Sequence, residues 1–146
     1  MPVLEHSTIE FMEHFKAHAA RVFLYPQIEA SPLLEARVGG RVFYLLDRMG
    51  PYAAVNGEAM MIVNPMVDSL ANSEIPEADL RVIGISKLEG VGRVLAVEPN
   101  HVVLEARAPL VIGVLDDSWR KTRVGDWVSF SSLEPVHGFF VKSIRP

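Results

Sequence analysis

The sequence contains no cysteine among its 146 residues. This absence excludes disulfides, thiolate nucleophiles and cysteine-ligated zinc or iron–sulfur clusters. No stretch approaches the roughly 18–20 consecutive apolar residues of a membrane-spanning helix. The first residues also lack the basic and apolar regions of a secretory signal peptide. We therefore expect a cytoplasmic protein that folds without disulfide bonds and has no membrane partner.

Concentrated positive charge is also missing, because 14 Lys and Arg face 18 Asp and Glu, for a net charge of −4. Nucleic-acid binding usually needs a basic surface, since the release of counterions from phosphates drives it. The charge therefore disfavours a polyanionic partner. The sequence has neither a glycine-rich phosphate loop nor a G-x-S-x-G nucleophile elbow. We predict no cofactor and no catalytic residue, and an enzymatic function is not favoured.

Amide side chains are scarce, with a single Gln, and Arg outnumbers Lys. This bias is typical of thermophilic proteins, although a GC-rich genome produces the same pattern. A chain of this length usually forms one domain, so we predict a single domain over residues 1–146.

The clearest local signal is the capping-box motif Ser7-Thr8-Ile9-Glu10 near the start of the chain. Apolar residues then recur every three or four positions as far as Val22, which is the spacing of an amphipathic helix. Pro26 disfavours helical geometry in the residue before it. The sequence therefore predicts an amphipathic α-helix over residues 7–25.

The remainder of the chain consists of short apolar segments separated by turns that contain glycine or proline. Asn56-Gly57 predicts a tight hairpin, whereas residues 66–79 lose the alternating pattern and predict a loop excursion. No helix-length segment separates the strands, which favours a mainly-β barrel or sandwich of about nine short strands over residues 38–146. The predicted strands are Arg41–Asp47, 52–55, 59–63, 80–85, 93–98, 101–106, 110–115, Trp127–Ser131 and 138–144.

One pair of residues has metal-ligand spacing. His14 and His18 are four positions apart on the predicted helix, with Glu10 one turn earlier, and such a pair can clamp zinc. The pair lacks the H-E-x-x-H pattern, and the alternative interpretation is a solvated helix face. His14 and His18 are therefore the metal candidates, although no metal is predicted.

A second candidate site is the loop 116–123, which contains Trp119, Arg120, Lys121 and Arg123. Loops between the strands of small five-stranded barrels bind oligonucleotides. Base stacking on Trp119 with three cations nearby would give salt-sensitive binding. Two aspartates at the start of the loop oppose this charge. The sequence thus suggests, as an alternative function, single-stranded nucleic-acid binding through this loop.

The leading functional prediction comes from an excess of apolar residues in several strands. Residues 42–46, 59–67 and 139–141 show little polar alternation, so both faces of those strands need cover. A barrel interior covers one face, and the helix and a partner subunit are candidates for the other. We therefore expect a non-enzymatic interaction or assembly protein, a homo-oligomeric component of a shell, scaffold or virion. A third alternative is a small enzyme whose site is shared between subunits.

Overall fold

A computed structural model describes residues 4–27, 31–50 and 56–144. The fold is mainly β with one N-terminal α-helix, as predicted. The helix α1 spans Leu4–Phe15, and two short 3-10 segments span Lys16–His18 and Asp117–Lys121. The strands in the described residues are β1 Ala20–Leu24, β2 Leu33–Val38, β3 Arg41–Asp47, β4 Gly57–Asn64, β5 Met66–Val67, β6 Ala71–Asn72, β7 Asp79–Ile83, β8 Lys87–Glu98, β9 His101–Glu105, β10 Pro109–Val114, β11 Trp127–Ser131 and β12 Val136–Ser143.

Five strands form a closed barrel in the order β1-β2-β3-β12-β4, and β4 pairs back with β1. All neighbours are antiparallel except β3 and β12, which are parallel. Gly39 and Gly40 have φ values of 58° and 82°, which permit the two-residue turn between β2 and β3. Alternate residues fill the interior, so the intervening side chains of β1, β2 and β3 point outward.

The remaining strands form a curled seven-stranded sheet in the order β5-β10-β9-β8-β11-β6, with β7 also paired to β8. The long strand β8 has β7 and β11 on either side of its first half, whereas β9 pairs with its second half. The first half is in close contact with β7, because a Cβ atom on Gly90 would lie 2.1 Å from the Asp79 carbonyl oxygen. Only glycine therefore fits at this point without a backbone shift.

Helix α1 covers the junction between the two sheets. Phe15 is 4% exposed and packs with Ile62 of β4 and Val111 of β10 in one apolar cluster. Close by, Asn64 is buried and its Nδ2 donates to the Val111 carbonyl oxygen at 2.7 Å. The helix thus supplies part of the cover that the apolar outer face of β4 requires.

The predicted helix over residues 7–25 is wrong in its bounds. The α-helix already includes Leu4, so Ser7 lies inside it and is not its N-cap, and residues after Phe15 leave the α-helical conformation. The segment that follows is strand β1, in which the buried Val22 and Leu24 alternate with outward-facing neighbours. Ala19 and Val22 happen to continue the three- and four-residue spacing of the apolar residues in the helix before them.

Other boundaries also differ from the prediction. The barrel begins at β1 and not at residue 38, so β1 and most of β2 precede the range over which strands are predicted. The predicted loop at 66–79 contains the two-residue strands β5 and β6. The predicted strand 52–55 lies outside the described residues. Strand β4 pairs with β1 and β12 along its two edges.

Candidate functional site

The outer surface of the closed barrel carries three aromatic side chains, on β1, just after it, and on β3, with β2 between the two strands. Phe23 on β1, Tyr25 directly after it and Tyr44 on β3 are all half-buried, so part of each ring is accessible. Phe23 is in register with Arg37 on β2. Because adjacent strands are about 4.8 Å apart, the rings of β1 and β3 lie roughly two strand spacings from one another. We call this surface, formed by Arg21, Phe23, Tyr25, Arg37 and Tyr44, the aromatic face.

Arg37 is the central cation of the aromatic face. Its guanidinium carbon lies 5.3 Å from the centroid of the Phe23 ring, and its Nη1 donates to Tyr25 Oη at 3.4 Å. The Phe23 and Tyr25 rings are themselves 5.2 Å apart in an edge-on arrangement. Within the described residues, Arg37 has no carboxylate partner at ion-pair distance. Its charge is therefore available to an anionic ligand.

Two further guanidinium groups border this surface. Arg21 forms an ion pair with Glu58 of β4, with its Nε 3.0 Å from the Glu58 carboxylate. Arg107 donates through Nε to the Gly39 carbonyl oxygen at 2.8 Å, which places it beside the β2–β3 turn. With Glu35 on β2, the surroundings hold three arginines and two glutamates. The local balance is thus positive although the chain as a whole is negative.

The loop 116–123 lines a separate cleft of about 540 Å³. The Asp116 carboxylate accepts from the Ser118 backbone N–H at 2.8 Å and from the Ser118 hydroxyl at 2.6 Å. These bonds, with another from Ser69, hold the pKa of Asp116 below its usual value. The Ser118 hydroxyl also accepts from the Leu70 N–H at 2.9 Å. The loop is therefore fixed to the segment between β5 and β6.

The four predicted loop residues are only partly brought together. Arg120 and Lys121 line the cleft, together with two aspartates. Trp119 is half-buried against the core, and the Arg120 guanidinium covers it at 4.7 Å from the ring centroid. Arg123 is exposed, and its backbone N–H donates to Asp126. Because core and guanidinium both contact the Trp119 ring, little of it is left for a base, and its binding role stays a prediction.

The two candidate metal ligands belong to different local structures. His14 is in α1 and its Nε2 contacts the Glu98 carboxylate, whereas His18 ends the 3-10 segment. The α-helical spacing that would bring both imidazoles to one face is therefore interrupted. No group of three or more potential metal-ligating residues occurs in the described part of the chain. The metal hypothesis gains no support from this arrangement.

The aromatic face was missed at the sequence level because residues 7–25 were interpreted as one helix. The signal was present in the alternation of Arg21, Phe23 and Tyr25 with the apolar Val22 and Leu24, which is a period-two pattern. The pairing of β1 with β2, which places Arg37 beside Phe23, could not be deduced from this local alternation.

In comparisons with known proteins, no family model, curated protein or solved structure matches this chain. Among the described residues, no helix is long and apolar enough to cross a membrane.

Proposed function

We propose that this protein binds single-stranded nucleic acid through the aromatic face. The observation that carries the proposal is the set of accessible rings of Phe23, Tyr25 and Tyr44 around the Arg37 guanidinium, which has no carboxylate partner in the described part of the chain. Proteins that bind single strands stack bases on aromatic side chains and place cations beside the backbone. Because every base has a π-face, such a surface requires no particular sequence.

The position of these residues in the barrel supports the same proposal. The strand order β1-β2-β3-β12-β4 is a five-stranded Greek-key arrangement. Barrels of the OB-fold type have such an arrangement and use the face of their second and third strands to bind oligonucleotides. The similarity concerns strand order alone. It supports this face of the barrel as a binding surface and does not identify a function.

The small number of cations sets the expected salt dependence. If Arg21, Arg37 and Arg107 each contact one phosphate, log K falls with log salt at a slope of about −0.7 per contact for single strands. The affinity should then fall by about 20-fold between roughly 50 mM and 200 mM salt. Binding of this kind is weak at high ionic strength and measurable at low ionic strength.

The test is fluorescence anisotropy of a labelled oligothymidine of about ten nucleotides, a length within the range that one small barrel covers. Phe23→Ala and Tyr44→Ala should each weaken binding by about fivefold or more, because stacking contributes about 1–3 kcal/mol per base. Arg93→Ala, which removes an exposed cation from β8, serves as the control and should leave binding nearly unchanged.

Two results would contradict the proposal. One is the absence of binding by the unsubstituted protein at low salt. The other is a loss of binding in Trp119→Ala with none in Phe23→Ala, which would transfer the function to the loop 116–123.

A second candidate function is self-assembly, for which an apolar surface beside β3 is the specific observation. Val42, Ile83, Ile85 and Leu133 are between 41% and 62% exposed. The turn that contains Ile85 lies against β3, because the Tyr44 N–H donates to the Ile85 carbonyl oxygen at 3.0 Å. If this surface joins subunits, light scattering should show an oligomer that Ile85→Glu dissociates, and a monomer at high concentration would exclude it.

A further inference from the structure

A cleft of about 250 Å³ opens beside α1, where the ends of β3 and β4 meet the starts of β9 and β12. Its polar wall contains Arg48, Asn64, His101 and His137. None of the described residues that line it is acidic. Among the described lining residues, Arg48 is therefore the one permanently charged side chain, and the cleft is distinct from the aromatic face and from the loop 116–123.

The hydrogen bonds of the two histidines define their tautomers. Arg48 Nη1 lies 3.1 Å from His137 Nδ1, and since a guanidinium only donates, His137 carries its proton on Nε2 when neutral. His101 Nδ1 lies 3.1 Å from the Pro99 carbonyl oxygen, so this nitrogen is the donor. The other N–H groups of the Arg48 guanidinium and the Nε2–H group of His137 can therefore donate to a ligand.

Two aromatic rings lie next to Arg48. Phe11 and Phe139 have ring centroids 4.5 Å apart, and the Arg48 guanidinium carbon lies 5.5 Å from the Phe139 centroid. Phe139 is only 3% exposed, whereas Phe11 is half-buried. An anionic group beside Arg48 would therefore carry its attached body against the Phe11 ring. The volume is below the roughly 300 Å³ at which typical small-molecule pockets begin, which fits a ligand with a single ring.

We infer that this cleft binds a small organic carboxylate with a planar apolar body, held by Arg48 and His137 at the anionic end and by Phe11 along the body. The guanidinium fork matches the two oxygens of a carboxylate. This site is independent of nucleic-acid binding by the aromatic face, so either can fail without the other.

Carboxylate binding in this cleft should also depend on pH. Burial lowers the pKa of His137, and the Arg48 charge lowers it further. Burial also lowers the pKa of His101, with Glu98 opposing this effect and His14 adding to it. Both imidazoles are therefore neutral at pH 7, and a bound anion favours their protonation. Binding should become tighter as the pH falls below about 6.5, the ordinary histidine pKa.

The probe is benzoate, titrated into the full chain while the NMR signals of the histidine rings are followed. We expect saturable shifts of the His101 and His137 signals. Arg48→Gln should weaken binding at least about tenfold, because hydrogen bonds to charged groups are the strong ones. The control Arg93→Gln should retain the affinity. Inorganic phosphate, which lacks the apolar body, should bind more weakly than benzoate.

Three results would overturn the inference: no histidine shift with benzoate, unchanged affinity in Arg48→Gln, or phosphate binding as tight as that of benzoate. Because Arg48 is exposed, its substitution should preserve the fold. A second variant, Phe11→Leu, removes the ring and retains an apolar side chain. It should weaken benzoate binding while phosphate binding stays unchanged, and equal effects on both anions would also count against the site.

Discussion

Replacement of Phe15 by alanine should strongly destabilise the protein, because this ring joins α1 to both sheets. Phe15 is 4% exposed, and its ring centroid lies 4.8 Å from that of Phe11 and 5.1 Å from that of His101. Truncation of a buried phenylalanine costs about 3–5 kcal/mol, through lost transfer free energy and the cavity that remains. For a domain of this size, that loss lowers Tm by about 6–20 °C.

The assay is urea unfolding followed by circular dichroism, with Ile9→Ala as the matched control. Ile9 is on the same helix and is 56% exposed, so its truncation should change the free energy of unfolding by less than about 0.5 kcal/mol. A loss below about 1 kcal/mol for Phe15→Ala, or equal losses for the two variants, would refute the packing of α1 across the junction.

Three further predictions concern residues at the contacts between elements of the fold. Gly90→Ala should cost about 1–3 kcal/mol or more, because its Cβ would meet the Asp79 carbonyl oxygen at 2.1 Å, and an unchanged Tm would contradict the close contact. Asn64→Ala should cost about 1–3 kcal/mol by leaving the buried Val111 carbonyl without its donor, and denaturant titration measures this. Burial lowers the pKa of His101, so its contribution to stability is present above the unfolded value of 6.5 and is lost as the pH falls through the folded pKa. The urea midpoint of His101→Phe should therefore depend less on pH between about 5 and 7, and parallel profiles would disprove this.

Strands can be predicted from the sequence where one face is buried and the connecting turn is formed by adjacent residues. The strand Arg41–Asp47 could be predicted as a short apolar run that follows a glycine turn, and the hairpin of β8 and β9 from its alternation and turn residues. The mainly-β class followed from the absence of crossover helices. These features depend on neighbours in the chain, and no long-range pairing is needed to recognise them.

The rest depended on contacts between distant segments. Ala19 and Val22 continue the helical spacing from Phe15, whereas Val22 and Leu24 fit a strand, and only pairing of β1 with β4 decides between the two. The aromatic face arises in the same way, because Phe23 meets Arg37 across two strands of the closed barrel. The loop 116–123 was located correctly as a surface segment, but the packing of Trp119 against the core was not evident from its polar neighbours.

The most direct test of nucleic-acid binding by the aromatic face is the mapping of NMR amide shifts on titration with oligothymidine at low salt. The account predicts that the perturbed amides cluster in β1, β2 and β3, around Phe23, Arg37 and Tyr44. Perturbations confined to the loop 116–123, or the absence of any concentration-dependent shift, would contradict it.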